Sequence, residues 1–305
     1  MKLITGANGF IGQALVAVYG DEALAVSRRP DQSPQASAVA GKQITCDISR
    51  PELVGELITQ LQAHNISEII HAAAVTPWSP NPDFSIDLAM AQTLTEVCNR
   101  LHIPRFTFLS GWIVYDMQGA APYGETTAVG PTTDYGKSKL AVETYFAHNL
   151  KHTILVNARL ASVYGPGQIS AGLIPNFVRM ALQGEELTVA SVKTRRDYLF
   201  IDDLADALHG LSTAKIEQNM NINFGSGKSV TVGDVAEAIQ RISRSDYHKD
   251  VRINRPAETN EASPIDNQLD IQKAQSFGLL QQMTSLHDGL EAYMAWVNAQ
   301  AQEKN

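Results

Sequence analysis

The sequence predicts an α/β fold, a doubly wound parallel sheet joined to a smaller C-terminal α/β lobe. Three observations predict it. A glycine-rich turn, Thr5-Gly6-Ala7-Asn8-Gly9-Phe10-Ile11-Gly12, stands between the apolar run Met1–Ile4 and a stretch where Phe10, Ile11, Leu15 and Val16 fall at helical spacing. Apolar runs then alternate with helical patterns through the first half, as a sheet of parallel strands requires. After Tyr164-Gly165-Pro166-Gly167 that alternation loosens.

Taken in order, strands are expected at Met1–Thr5, Ala23–Ser27, Glu68–His71, Arg105–Ser110 and Thr153–Leu160, with helices near Ile11–Tyr19, Pro51–His64, Ile86–Leu101 and Tyr135–Asn149. Residues Ser285–Gln300 read as an amphipathic helix whose Leu286, Leu290, Tyr293 and Val297 face a core. Residues 1–165 and about 198–224 are assigned to the sheet, and residues 166–197 and 225–305 to the smaller lobe.

Composition narrows the field. The 305 residues, 44% hydrophobic and 18% charged, can bury a large core. A net charge of -8 argues against nucleic acid as a partner, and no apolar run is long enough to cross a membrane. Cys46 and Cys98 lie far apart, form no metal or redox motif, and read as reduced thiols of a cytoplasmic protein. A first strand at Met1 leaves no room for a leader peptide. His148 and His152 have ligand-like spacing at a helix end, but no third ligand follows, so no metal is expected.

A strand, a turn with three glycines and a helix together hold a dinucleotide pyrophosphate. Glycine lets the backbone approach the phosphates, and the helix start offers free N–H groups and its positive dipole end. The spacing Gly6-x-x-Gly9-x-x-Gly12 differs from G-x-G-x-x-G, and no Gly-Lys-Ser/Thr follows to make a P-loop. Asn8, Phe10 and Ile11 complete this contact. At the end of the second strand, where a carboxylate commonly holds the adenosine ribose, stand Ser27, Arg28 and Arg29. A hydroxyl and two guanidiniums suit a 2′-phosphate, so NADP is expected in preference to NAD. Asp47, with Ile48, is placed to accept from the adenine amino group, and Ala72, Ala73 and Ala74 let the cofactor lie close to the chain. His71 reads as a satisfied strand-end histidine.

Tyr135 and Lys139 are four apart on an expected helix and share a face. A phenol is a poor acid–base group at neutral pH, and a neighbouring ammonium brings its pKa nearer the working range. The same lysine can hydrogen-bond the nicotinamide ribose.

Thr5–Gly12, Asp47, His71–Ala74, Tyr135–Lys139, Val163–Gly167, Arg196-Asp197-Tyr198 and Asn223–Gly227, with Glu125 and Pro131, together resemble the extended short-chain dehydrogenase/reductase family over nearly the whole chain. The resemblance implies a Rossmann sheet, a nucleotide-diphosphate sugar substrate, and a homodimer through the helices near Ile86–Leu101 and Tyr135–Asn149. It also implies that Arg196 clamps the substrate diphosphate and that Arg255 contacts the nucleotide.

Two departures from the family matter. Its Ser or Thr four residues before the tyrosine of Val-Tyr is Gly111 here, beside Ser110. Adjacent strand residues face opposite ways, so Ser110 needs a local bulge to serve, or Thr76 or Thr133 must replace it from a loop. Ser110 is carried as the third catalytic candidate. The asparagine that commonly precedes Val-Tyr-Gly-Pro is Ser162, which with Thr76 and Trp112 is assigned to the substrate side.

Trp112 and Ile113 also occupy the positions of the acid–base pair of 4,6-dehydratases, and neither can act as one. What remains is an NADPH-dependent reductase of a keto group on a nucleotide-diphosphate deoxysugar, or an NAD(P)-dependent 4-epimerase. In a different class stands an NADP-binding sensor with an impaired catalytic centre.

Overall fold

A computed structural model describes residues 1–29, 42–169, 172–191, 193–256 and 265–303. Twelve strands are present in it: β1 (Lys2–Thr5), β2 (Ala23–Ser27), β3 (Lys42–Thr45), β4 (Glu68–His71), β5 (Arg105–Gly111), β6 (Ile154–Leu160), β7 (Ser162–Tyr164), β8 (Leu187–Thr188), β9 (Arg195–Phe200), β10 (Met220–Phe224), β11 (Ser229–Thr231) and β12 (Ile253–Asn254). The α-helices are α1 (Phe10–Tyr19), α2 (Val54–Leu61), α3 (Ser85–Leu101), α4 (Asp134–Asn149), α5 (Leu173–Gln183), α6 (Ile201–Thr213), α7 (Val232–Tyr247), α8 (Gln272–Ser276) and α9 (Leu286–Gln302).

Seven strands form one parallel sheet in the order β10-β6-β5-β4-β1-β2-β3. The order reverses between β1 and β4, and such a switch point opens a crevice at the carboxyl ends of the strands. Residues Thr5–Gly6 and His71–Ala74 border it. This is the doubly wound Rossmann arrangement expected.

The strands are apolar on both sides because both faces are covered. On one face Leu15, Val16, Leu204, Leu208 and Leu211 of α1 and α6 meet Ile4, Ile70, Val156 and Ile222. On the other, Leu57, Leu61, Leu94, Val142 and Phe146 of α2, α3 and α4 meet Leu3, Ile69, Phe106 and Phe108.

The chain leaves this sheet after Leu160. Strands β7 and β9 join β11 in a three-stranded sheet, and β8 pairs with β12. There α5, α7 and α9 build a third core from Phe177, Val178, Val235, Ile239, Leu290 and Tyr293. Ser285 caps α9 by accepting from Asp288 N, so that helix starts one residue later than expected. Strand β3 was not expected. Its Lys-Gln-Ile-Thr has one buried apolar side chain, Ile44, as befits an edge strand. The helix expected over Pro51–His64 is a 3-10 turn, Pro51–Leu53, followed by the shorter α2.

Candidate active site

The glycine turn is shaped by two close approaches. Gly6 has φ +67° and lies against the next strand's loop, where a Cβ would sit 2.6 Å from Ala73 N. At Gly12 a Cβ would collide with the Gly6 carbonyl oxygen. Helix α1 therefore springs directly from the turn. Its N-cap, Gly9, supplies no side-chain bond; Gly9 N closes the turn onto Gly6 O at 2.8 Å, and the first helix amide bonded back to it is Gln13 N, to Gly9 O at 2.9 Å. The amides of Phe10, Ile11 and Gly12 between them form an uncapped helix start at the switch point, which fits a dinucleotide pyrophosphate.

Asn8 Nδ2 donates to Arg29 O at 3.2 Å and ties the turn to the end of β2. Arg28 and Arg29 are exposed, and neither forms an ion pair with a described residue. The Ser27 hydroxyl is spent locally, donating to Arg29 O (2.6 Å) and accepting from Gln43 Nε2 (3.2 Å). Asp47 accepts from Ser49 N and Ser49 Oγ through Oδ1. Ile48 turns its side chain into the core.

His71 is fully buried, with Nδ1 2.7 Å from Thr5 Oγ1 and its ring stacked on Phe108. Burial, aided by the Lys139 charge, pushes its pKa down to about 3. The folded chain thus refuses a proton that the unfolded chain accepts near pH 6.5. His71 costs nothing above that pH and destabilises progressively below it. Between pH 7 and pH 5 the loss is about 2 kcal/mol from this group. Denaturant unfolding across that range checks it, and His71→Gln flattens the profile.

Tyr135 and Lys139 lie on one face of α4, which starts at the Thr133 cap. Gly136 lets that helix start press onto the 3-10 turn Trp112–Val114, where a Cβ would be 2.7 Å from Ile113 O. Lys139 is 4% exposed. Its Nζ donates to Leu109 O at 3.0 Å and lies 4.8 Å from the Phe108 ring centre and 5.7 Å from that of Tyr135. The half-buried Tyr135 ring is flanked by Phe84.

No bulge interrupts β5, whose register with β6 runs unbroken from Arg105 to Gly111. Plain alternation puts Ser110 with Phe106 and Phe108 on the α4 face, beside its register partner Arg159. The bulge expected for Ser110 is therefore corrected: the strand needs none. Ser110 Oγ is sealed from solvent and bonds to no described group, as is Arg159 Nη1. Thr133 is occupied as the α4 cap, and Thr76 is exposed and 3.2 Å from Ser79 Oγ.

Towards the smaller lobe, the Arg196 guanidinium lies 5.4 Å from the Trp112 ring centre, linking β9 to the end of β5. Arg196 is half-buried, has no carboxylate partner among the described residues, and burial lowers its pKa. Ser162 and Tyr198 are register partners on the adjoining strands. Arg255 is exposed and paired with Glu237 at 2.6 Å. His148 bonds its own helix at Thr144 O while His152 stacks on His102, so the two histidines go separate ways.

Two acids have roles that residue order alone does not assign. Asp197 is fully buried and accepts from Ser226 N, Ser226 Oγ, Gly227 N and Leu269 N, which shapes the Gly225–Gly227 turn. Asp87, on α3, is buried beside the catalytic helix. Glu125 and Asn223 are structural: Glu125 accepts from Asn223 N, and Asn223 accepts from Tyr115 Oη.

An uncapped glycine-rich helix start at the switch point and a Tyr-x-x-x-Lys pair beyond β5 define a class, the dinucleotide-dependent enzymes of the short-chain type. Residues 2–225 match the NAD dependent epimerase/dehydratase family, and the chain belongs to it. Its relatives are nucleotide-sugar enzymes. The dTDP-4-dehydro-6-deoxyglucose reductase of Escherichia coli is 28% identical over 257 residues, 78% of this chain and 80% of that one. A UDP-glucose 4-epimerase of Azospirillum brasilense is 24% identical over 84% of this chain and 81% of its own. The chain spans only 46% of a trifunctional dehydratase/epimerase/reductase of Arabidopsis thaliana, to which it is 28% identical. Among solved structures, MoeE5 in complex with UDP-glucuronic acid and NAD superposes with a TM-score of 0.82 at 25% identity, covering 98% of this chain and 99% of that one.

Proposed function

We propose that the chain reduces a keto group on a nucleotide-diphosphate deoxysugar, drawing on NADPH. The observation that carries the reductase reading is the end of β2. Two exposed guanidiniums, Arg28 and Arg29, stand there without ion-pair partners among the described residues, where a ribose-binding carboxylate would favour NAD. A reductase must exchange its spent cofactor at each turnover, whereas a 4-epimerase recycles its own hydride.

Bound NADPH supplies the hydride. Gly6, Gly9 and Gly12 admit its pyrophosphate to the amides of Phe10 and Ile11, with Asn8 bracing the turn. Arg28 and Arg29 would take the 2′-phosphate, with Ser27 shaping that turn, Asp47 and Ile48 would border the adenine, and Ala72–Ala74 would let the cofactor lie close to the chain. Tyr135 Oη gives its proton to the ketone oxygen as the carbon becomes an alcohol centre. Lys139 holds the ribose and lowers the cost of the phenolate left behind. Ser110, the third catalytic candidate, is sealed from solvent with its Oγ unbonded, so the proton transfer is assigned to Tyr135 and Lys139 without it.

The smaller lobe receives the substrate. Arg196, with its guanidinium 5.4 Å from the Trp112 ring centre, would clamp the diphosphate, and Ser162, Thr76 and Arg255 would border the nucleotide and sugar. A homodimer would form through α3 and α4, between which Leu88, Pro131, Leu140, Ala141 and Tyr145 line an open groove. Both described cysteines are free and buried, in keeping with a cytoplasmic setting.

Replacing Arg28 and Arg29 together by Ala weakens NADPH binding about 30-fold and leaves NADH binding nearly unchanged, as calorimetric titration reads. The second reading, a 4-epimerase, is favoured by the Azospirillum relative. Denaturing the purified protein and identifying any released nucleotide separates the two. Tightly held NAD returns the reading to an epimerase. Retained NADP with no turnover of any keto sugar favours a sensor.

A further inference from the structure

Lys139 presents a problem of charge. An ammonium so deeply buried loses its proton unless an anion compensates it. Yet no carboxylate touches it: its one described hydrogen bond goes to a carbonyl, Leu109 O. Glu143, one turn further along α4, is fully engaged by Arg159 through two bonds of 3.1 and 2.7 Å. His71, from β4, is neutral, and Asp83 is exposed, bonded to Ser85.

One acid is left. Asp87 of α3 is 4% exposed and makes no ion pair with a described residue. Its Oδ1 accepts from Val75 N at 2.8 Å, on the loop after β4, and its Oδ2 accepts from Ser138 Oγ at 3.1 Å, next to Lys139. We propose that Asp87 is the counter-charge that keeps Lys139 an ammonium, held one step away so that the remaining lysine N–H groups stay free for the cofactor.

The geometry explains why the two do not touch. A contact pair would spend the ammonium on the carboxylate. Here the two Asp87 oxygens are tethered by a loop amide and a hydroxyl, so charge is balanced while the donors of Lys139 remain uncommitted. The same tethers join the cofactor-side loop to the catalytic helix. Burial raises the Asp87 pKa, and Lys139 with the two hydrogen bonds opposes it. The charged group that acts on Asp87 from the packed elements is therefore Lys139 of α4; neutral His71 of β4 interacts with Lys139 itself. Asp87 is a positioning residue, since it acts through Lys139.

This rests on Tyr135 and Lys139 being the reacting pair, so the test reads Lys139 directly. In Asp87→Asn, which keeps size and the Val75 acceptor, nitrogen NMR of the lysine ammonium should show the Lys139 pKa lowered by about one unit or more. The alkaline limb of the pH–turnover profile should move acidward by the same amount. Ser138→Ala, which cuts a tether but keeps the charge, should leave the Lys139 titration in place.

An unchanged Lys139 titration in Asp87→Asn overturns the proposal. If that variant does not fold, carbon NMR of the wild-type aspartates decides: Asp87 ionised at pH 7 is expected, and a protonated carboxyl overturns it. A lowered Lys139 pKa with an unmoved turnover profile upholds the counter-charge and sinks the Tyr135–Lys139 mechanism instead.

Discussion

On the proposed mechanism, Tyr135→Phe lowers turnover by about a thousandfold while leaving dinucleotide affinity and the melting temperature close to wild type. The variant removes one oxygen from a half-buried ring whose packing against Phe84 stays. Stability should therefore barely change, since no described group is bonded to that hydroxyl. What is lost, on that mechanism, is the proton that would reach the ketone oxygen as the carbon is reduced. Transfer from a positioned acid contributes about 100- to 10,000-fold. The loss should fall on kcat more than on KM, because the contacts proposed for ground-state binding, Arg196 and the glycine turn, are untouched. Activity equal to wild type would end the hydride-transfer mechanism.

Much of the machinery could be read from residue order because each part is local. Ala23–Ser27 and Glu68–His71 match β2 and β4 to the residue, since strands buried on both faces centre on short apolar runs, here Ala23–Val26 and Ile69–Ile70. The turn at Gly6–Gly12 and the Tyr135–Lys139 pair each sit within one element, so spacing alone orients them.

What escaped depends on partners distant in sequence. Asp87 looks like an ordinary first-turn acid favoured by the helix dipole, and only α4, some fifty residues on, buries it. A signal was present: Asp87 falls on the stripe of Met90, Ala91, Leu94 and Cys98, where an acid is out of place. Ser110 shows the complementary failure. Alternation with Phe106 and Phe108 gives its face, but its enclosure comes from Arg159 across the sheet. Likewise β3 has a single inward apolar side chain and acquires its identity from pairing with β2.

The largest loss of stability is expected from Glu143→Gln. Tyr135, Lys139 and Glu143 are spaced by four on α4, so one stripe of the helix faces the sheet. Glu143 takes both oxygens to Arg159 of β6, and both side chains are almost wholly buried. The Arg159 guanidinium also lies 4.9 Å from the Tyr115 ring centre. Burial would pull the Arg159 pKa down, but the Glu143 bonds and charge, with help from Tyr115, outweigh it. Removing only the carboxylate charge leaves a guanidinium stranded in the core, at a cost of about 3–5 kcal/mol. For a chain of this size that lowers Tm by about 10 °C. The rotation of α4 is fixed by this pair, so Tyr135 and Lys139 lose alignment and turnover falls with stability. Replacing both partners together, Glu143→Met with Arg159→Met, fills similar volume without a buried charge and should recover most of the lost stability. Calorimetric melts of the single and double variants decide it. If the double variant is as unstable as the single one, the cost lies in packing, and the stranded charge is the wrong explanation.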